Sequence, residues 1–295
     1  SFTQLRNRHV AAQKAAEADR SLQAHAAALT AAWPQVTDPL RGGSSEELES
    51  VALATAQVTF RDLMRQRCNL RLITIGPMEA ERVSDLLMET VEALPDALCS
   101  SPASAQVAPA AGRTTLVHET RGAQTLAGIF PGPGPEAATT VQMQLVMKML
   151  EKRLHDKLVI SDKVATRLEA TYVARPQGYN LIQMTGANAF QCAEFTLSEL
   201  RKLKTYGFGE AEVLAAQNAM RTQILLGYES ASSLAANLDI AASSLALSRA
   251  GNEIVLLDAI TAKSSSAMLR QYLTGLSWGL VGDTSNVDRK SLQRL

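Results

Sequence analysis

The chain has 295 residues, its 29 basic side chains are matched by 29 acidic ones, and 46% of its residues are hydrophobic. That length suggests two domains. The neutral total, with no Lys/Arg run longer than two, argues against a nucleic-acid partner held by phosphate neutralisation, and no apolar run approaches the roughly 18 residues of a membrane span.

Aromatic residues make up only 4% of the chain, so apolar volume comes from Leu, Val, Ile, Met and Ala. This favours many Ala-lined helices over a tight β-sandwich. The cysteines, Cys68, Cys99 and Cys192, are odd in number and lack metal-knuckle spacing. Buried free thiols are the expectation, rather than a disulfide-stapled fold.

In chain order, residues 3–33 read as one long helix, with Leu5, Val10, Ala15, Leu22 and Leu29 recurring loosely at helical spacing. PLRGGSSEE at 39–47 is a turn into a second short helix, and Thr59 introduces a helical turn or two with Asp62 in its first turn. Residues 69–75 look like a strand ended by Gly76–Pro77, followed by an amphipathic helix over 78–94. The Pro-, Ala- and Ser-rich stretch 95–113 reads as a linker. It divides an incomplete, mostly helical unit (1–94) from a complete α+β unit (114–295).

Beyond the linker, 114–118 and 124–130 suggest two strands around a turn containing Gly122. PGPGPEA at 131–137 is a rigid connector into a helix over 138–157, because its prolines remove amide donors from any anion nest. Residues 164–173 and 179–185 read as a hairpin-like pair of strands, and 189–204 as a helix. The stretch 210–248 is mostly helical with a break near Gly227 or Ser230, a further helix covers 253–273, and 277–281 is a closing strand. The expected fold class is α+β, with antiparallel or mixed sheets and helices packed on one face.

Several phrases resemble the insulinase-like (pitrilysin superfamily) zinc metallopeptidases. LRLITIGPMEAERVSDLLMETVEALP at 70–95 resembles the end of a domain in that family, and QTLAGIFPGP from Gln124 resembles the strand after its interdomain linker. YGFGEAEVLAAQNAM at 206–220 resembles its turn before a long helix, and LSWGLVGD at 276–283 its closing strand. The order of these phrases is stronger evidence than any one of them. The resemblance implies the end of a third domain followed by a complete fourth, or the equivalent part of a partner subunit. Family members enclose peptides in a chamber of two clam-shaped halves, and the zinc-bearing half carries His-x-x-Glu-His.

No such motif occurs here in either direction, and His9, His25, His118 and His155 are widely spaced. No catalytic or metal-ligating residue is assigned, and no cofactor is expected in this chain; the resemblance puts zinc in the missing half or partner. It also implies an Arg and a Tyr, seven residues apart, that hold substrate from the zinc-free side. Counting on from Leu154 without a gap puts Val159 and Thr166 at those places, with Arg167 and Tyr172 close by at a spacing of five.

The candidates for peptide contact are Arg167, Tyr172 and Arg175, with Arg167 or Arg175 facing a peptide carboxylate or backbone carbonyl. The bland alternative for this alternating stretch is a polar outer sheet face. Met143, Met147 and Met149 read as core filling, and the serines around 230 and 264 as helix caps. The resulting expectation is a non-catalytic half or partner subunit that closes a peptide chamber and helps bind peptide. The partners are a zinc-bearing half or subunit and a peptide substrate, with a homodimer left open, and the lone chain is expected to be inactive. The rival is a repurposed zinc-free structural or interaction module of the same fold.

Overall fold

The computed structural model describes residues 1–34, 44–64, 73–91, 109–119, 122–175, 177–243, 251–285, 287–290 and 292. The single helix expected over 3–33 is two, α1 (Phe2–Ala18) and α2 (Arg20–Ala32). Asp19 separates them: its carboxylate accepts from the amides of Ser21 (2.7 Å) and Leu22 (3.3 Å), capping α2 while ending α1. A short acidic side chain that bonds its own downstream amides competes with helix continuation.

Helix α3 (Ser45–Ser50) starts at a capping box on Ser44 and is tied to α1, because the Glu17 carboxylate accepts from both the amide and the hydroxyl of Ser45 at 2.7 Å. Those two bonds hold the Glu17 carboxyl below the usual carboxylate range. Helix α4 (Leu53–Met64) begins earlier than Thr59, and α5 (Ala80–Val91) follows. Residues 73–75 carry no strand pairing, and the rest of the strand expected over 69–75 lies outside the described residues. So does most of the expected linker, residues 95–108.

The sheet has five strands: β1 (Thr114–His118), β2 (Gln124–Pro131), β3 (Ala165–Val173), β4 (Tyr179–Gly186) and β5 (Ser277–Gly282), in spatial order β1-β5-β2-β4-β3. The β3–β4 pair is the antiparallel neighbour expected. The strands at 114–118 and 124–131 do not pair around Gly122, however. Strand β5 lies between them, parallel to β1 (Thr114 opposite Trp278) and antiparallel to β2 (Gly128 opposite Trp278). The result is the mixed sheet of an α+β fold.

Side chains alternate across this sheet as a period of two requires. On one face Leu126, Phe130, Leu168, Ala170, Tyr172, Ile182, Met184, Trp278 and Leu280 form the main core. Against it pack α6 (Ala137–Leu154) with its π-helical extension His155–Ser161, α7 (Ala189–Tyr206), α8 (Glu210–Gly227), α10 (Glu253–Asp258) and α11 (Ala262–Tyr272). The last two replace the single helix expected over 253–273, since Thr261 opens a new capping box with Ser264. Helix α9 (Ala231–Ser243) follows the expected break after Gly227. Met143, Met147 and Met149 are buried, and Cys192 is a buried free thiol; Cys68 and Cys99 lie outside the described residues.

The opposite face is covered by α2, whose Ala24, Ala28, Leu29 and Ala32 pack on Ala127, Ile129, Leu181 and Val281. The approach is close enough to need a residue without a side chain beneath it: a Cβ at Gly279 would run into the Ala24 carbonyl and the Ala28 amide. An Ala-rich helix over a strand glycine brings the two backbones together. The expected phrase at 206–212 is likewise structural. Gly207, at φ +75, ends α7 where an L side chain is strained, the Phe208 amide donates to Ser266 Oγ (2.9 Å), and Glu212 Oε2 accepts from the Gly209 amide (2.8 Å). The same carboxylate takes both donors of Arg153 at 3.0 and 2.6 Å, joining α6 to α8.

Candidate functional site

Strand β3 is an edge strand, hydrogen-bonded to β4 on one side and to no strand on the other among the described residues. Four consecutive residues, Glu169 to Tyr172, form one wall of a cleft of about 430 Å³. Val141, Gln144, Lys148 and Glu151 of α6 form a second wall, and their three- and four-residue spacing puts them along one stripe of the helix. Met220, Gln223 and Ile224 of α8 close the far side, with Tyr228, Asn237 and Glu253 at the rim.

The lining is polar but ordered. Lys148 pairs with Glu151 at 3.0 Å, and Glu253 accepts from the Tyr228 hydroxyl (2.8 Å) and the Gly251 amide (2.9 Å). Glu169 is half-exposed, with the Arg167 guanidinium 3.8 Å away. Of the three carboxylates bordering the cleft, Glu151 is thus paired with Lys148, and Glu169, on the same sheet face as Arg167, is paired with that guanidinium.

The three residues singled out in the sequence are spread along β3 and the turn after it. Tyr172 reaches the cleft: its ring borders the cavity while its buried hydroxyl donates to the Pro133 carbonyl at 2.8 Å. With Asn180, whose amide donates to the Pro131 carbonyl at 2.7 Å, it clamps the PGPGP connector that leads into α6. Arg167 is on the other face of β3, as an odd spacing demands, and its side chain is 72% exposed. Arg175 lies past the strand end, and its Nη1 is buried without a hydrogen-bond partner. At about 3.3 Å per extended residue the two arginines lie more than about 20 Å apart along the chain, so they do not converge on one group. Sequence reading missed Lys148, Glu151, Gln223 and Glu253. The polar residues at 144, 148 and 151, recurring at helical spacing, were the available signal.

The described residues do not fit a zinc ion. His25 Nε2 is 3.2 Å from the Tyr179 hydroxyl, His118 Nδ1 is 3.1 Å from Thr284 Oγ1, and His155 is beside Asp156 at the end of α6. Among the described residues no three His, Cys, Asp or Glu side chains gather as metal ligands. The Cys192 thiol is not poised to react, because burial pushes it up from an ordinary 9.0 to about 11. No described helix is long and apolar enough to cross a membrane.

The α+β unit thus has an open edge strand, a flanking cleft and, among the described residues, no gathered metal ligands. The Peptidase M16 inactive domain family matches residues 59–220, more than half of the chain, and the chain belongs to that family. No curated protein matches it. Among solved structures it is similar to a peptidase M16 inactive domain from Pseudomonas fluorescens (TM-score 0.77, 13% identity, covering 96% of this chain and 70% of that one). It is also similar to the periplasmic protease PqqL from Escherichia coli (TM-score 0.76, 13% identity, 96% of this chain and 33% of that one). A protease from Helicobacter pylori aligns over 81% of this chain and 60% of its own, with a TM-score of 0.69 and 15% identity. The chain therefore spans about a third of PqqL and less than two thirds of the Helicobacter pylori protease. At these identities the likeness is one of fold. The chain is a non-catalytic, peptidase-like half.

Proposed function

We propose that this chain forms the zinc-free wall of a two-sided peptide chamber, closing it against a zinc-bearing half or subunit and holding an extended peptide. The observation that carries the reading is β3: a nine-residue strand, open on one side among the described residues and bordering a cleft large enough for a side chain. An exposed edge offers a row of backbone donors and acceptors, and an extended peptide satisfies them by adding a strand. The other sheet edge, β1, has only five residues and among the described residues pairs with β5 alone.

In this reading the peptide backbone runs along β3, Tyr172 borders the pocket for one side chain, and Arg167 and Arg175 meet carboxylate or carbonyl groups nearer its two ends. Water activation belongs to the zinc-bearing side, so the chain by itself does not cleave. The domain division at 95–113 is part of the same proposal, with α2 (Arg20–Ala32) crossing it to cover the sheet of the 114–295 unit.

The test is native mass, metal content and peptide hydrolysis measured on one purified natural assembly. Co-purification with a zinc-bearing half, and hydrolysis lost when the two separate, is the expected result. A zinc-free assembly of this chain alone, without hydrolysis, overturns the chamber reading and leaves an interaction module.

A further inference from the structure

The open side of β3 carries a charge pattern that complements itself. We propose that, free of peptide, two copies of this chain pair antiparallel through their β3 edges, about a two-fold axis at Leu168. The proposal needs only the edge that is open among the described residues, not the chamber. A peptide of the chamber reading would compete for the same backbone groups, which an unpaired edge offers to any strand. In such a pair, residues directly opposite each other point to the same sheet face, so odd positions of one copy meet odd positions of the other. Arg167 and Glu169 are the charged residues of β3, and they share the face away from Leu168, Ala170 and Tyr172. Their side chains are 72% and 54% exposed.

Charge selects the register. An axis at Arg167 sets that guanidinium opposite its own copy, and an axis at Glu169 does the same to the carboxylate; like charges directly opposite destabilise a strand pair. An axis at Ala170 leaves Arg167 opposite Val173 and Glu169 opposite Thr171. At Leu168 each Arg167 lies opposite Glu169 of the second copy, with Cβ atoms about 5 Å apart. The 3.8 Å contact between Arg167 and Glu169 within each chain need not break. Each charge then has an opposite charge beside it on its own strand and another across the axis, and the four close into a ring of alternating sign. An isolated exposed ion pair contributes little, and a network contributes more. The bulge between Ala165 and Arg167 falls at the two ends of this register, where Thr166 meets Ala170, and leaves its middle regular.

The experiment follows the mass of the purified full chain by sedimentation across a dilution series, for the wild-type protein, Arg167→Glu, Glu169→Arg and the double charge swap. The wild-type protein should dimerise reversibly. Each single variant sets like charges opposite each other twice, so its dimer should be at least about tenfold weaker. Mixing the two single variants restores both opposite pairs and should restore a mixed dimer, and the double swap should dimerise by itself. A wild-type protein that stays monomeric overturns the proposal. Single variants that dimerise as the wild type does place the contact on another surface, and a mixture that stays monomeric rejects the register; either result overturns it. Should a variant not fold, hydrogen exchange on the wild-type protein carries the test: protection of amides 167–171 should rise with protein concentration while that of β1 does not, and concentration-independent protection of β3 overturns the proposal.

Discussion

The sheet with its covering helices and the segment holding α3 to α5 come from one chain but solve opposite problems. Around the sheet, both faces are closed: Trp278, Phe130 and Ile182 are fully buried on one, and Ile129 and Val281 on the other. In α3 to α5 and the adjoining residues, Ser45 is the one buried residue among those described, while Leu53, Val58, Phe60, Met78, Leu86 and Met88 are exposed. Exposed apolar stripes on amphipathic helices signify a surface that needs cover. The difference teaches that stability in this chain is unevenly held, and that substitutions should be felt according to region rather than hydrophobicity.

The largest expected effect is in the sheet. Trp278→Ala empties the site of the largest fully buried side chain and removes the bond its Nε1 makes to the Leu292 carbonyl at 2.8 Å. It should cost about 3–5 kcal/mol in urea unfolding. Gly279→Ala comes next: its methyl group has no room beneath α2. A loss of about 1–3 kcal/mol is expected, with a change in Trp33 fluorescence as α2 lifts, and an unchanged spectrum would mean that α2 is not held by this contact.

Alkaline pH probes the same core. Because the Cys192 thiol is raised from 9.0 to about 11, the unfolded chain loses its proton first as pH rises. The folded state's advantage is full below about pH 9 and is lost as pH climbs through about 11. Thiol titration at neutral pH should find Cys192 unreactive until denaturant is added. Arg153→Ala breaks a partly exposed bidentate pair with Glu212 and should cost about 1 kcal/mol, reduced by salt. Phe60→Ser, at a residue 64% exposed, should fall within about 0.5 kcal/mol of the parent. A loss as large as that of Trp278→Ala would show that the two regions do not differ as described.

Most helices and strands beyond residue 113 were legible because their apolar positions repeat locally. The long helix entered through PGPGP, the pair at 164–185 and the closing strand each carry their own period. What was not legible depends on distant partners. Nothing in 114–130 distinguishes two strands that pair with each other from two that admit a third, and that choice is made by Trp278 and its neighbours. Helix α2 escaped notice as a sheet cover because alanines give a weak amphipathic signal, and its contact is with the backbone of Gly279. Asp19 was readable as a cap, yet the Ala-rich run on either side argued for continuity. The cleft draws on β3, α6, α8, α9 and α10, so no local pattern could assemble it, although the polar stripe on α6 marked one wall.

The placement of β5 also sets a schedule. During synthesis β1 and β2 emerge about 150 residues before the strand that joins them, so Thr114 lacks its sheet neighbour until Trp278 leaves the ribosome. Until then two strand edges and the faces beside them are open to water and to other nascent chains. Long-range closure of this kind folds slowly and exposes aggregation-prone surface while it waits. A ribosome stalled before residue 277 should therefore hold a protease-sensitive chain, and release of the final strand should convert it in one cooperative step.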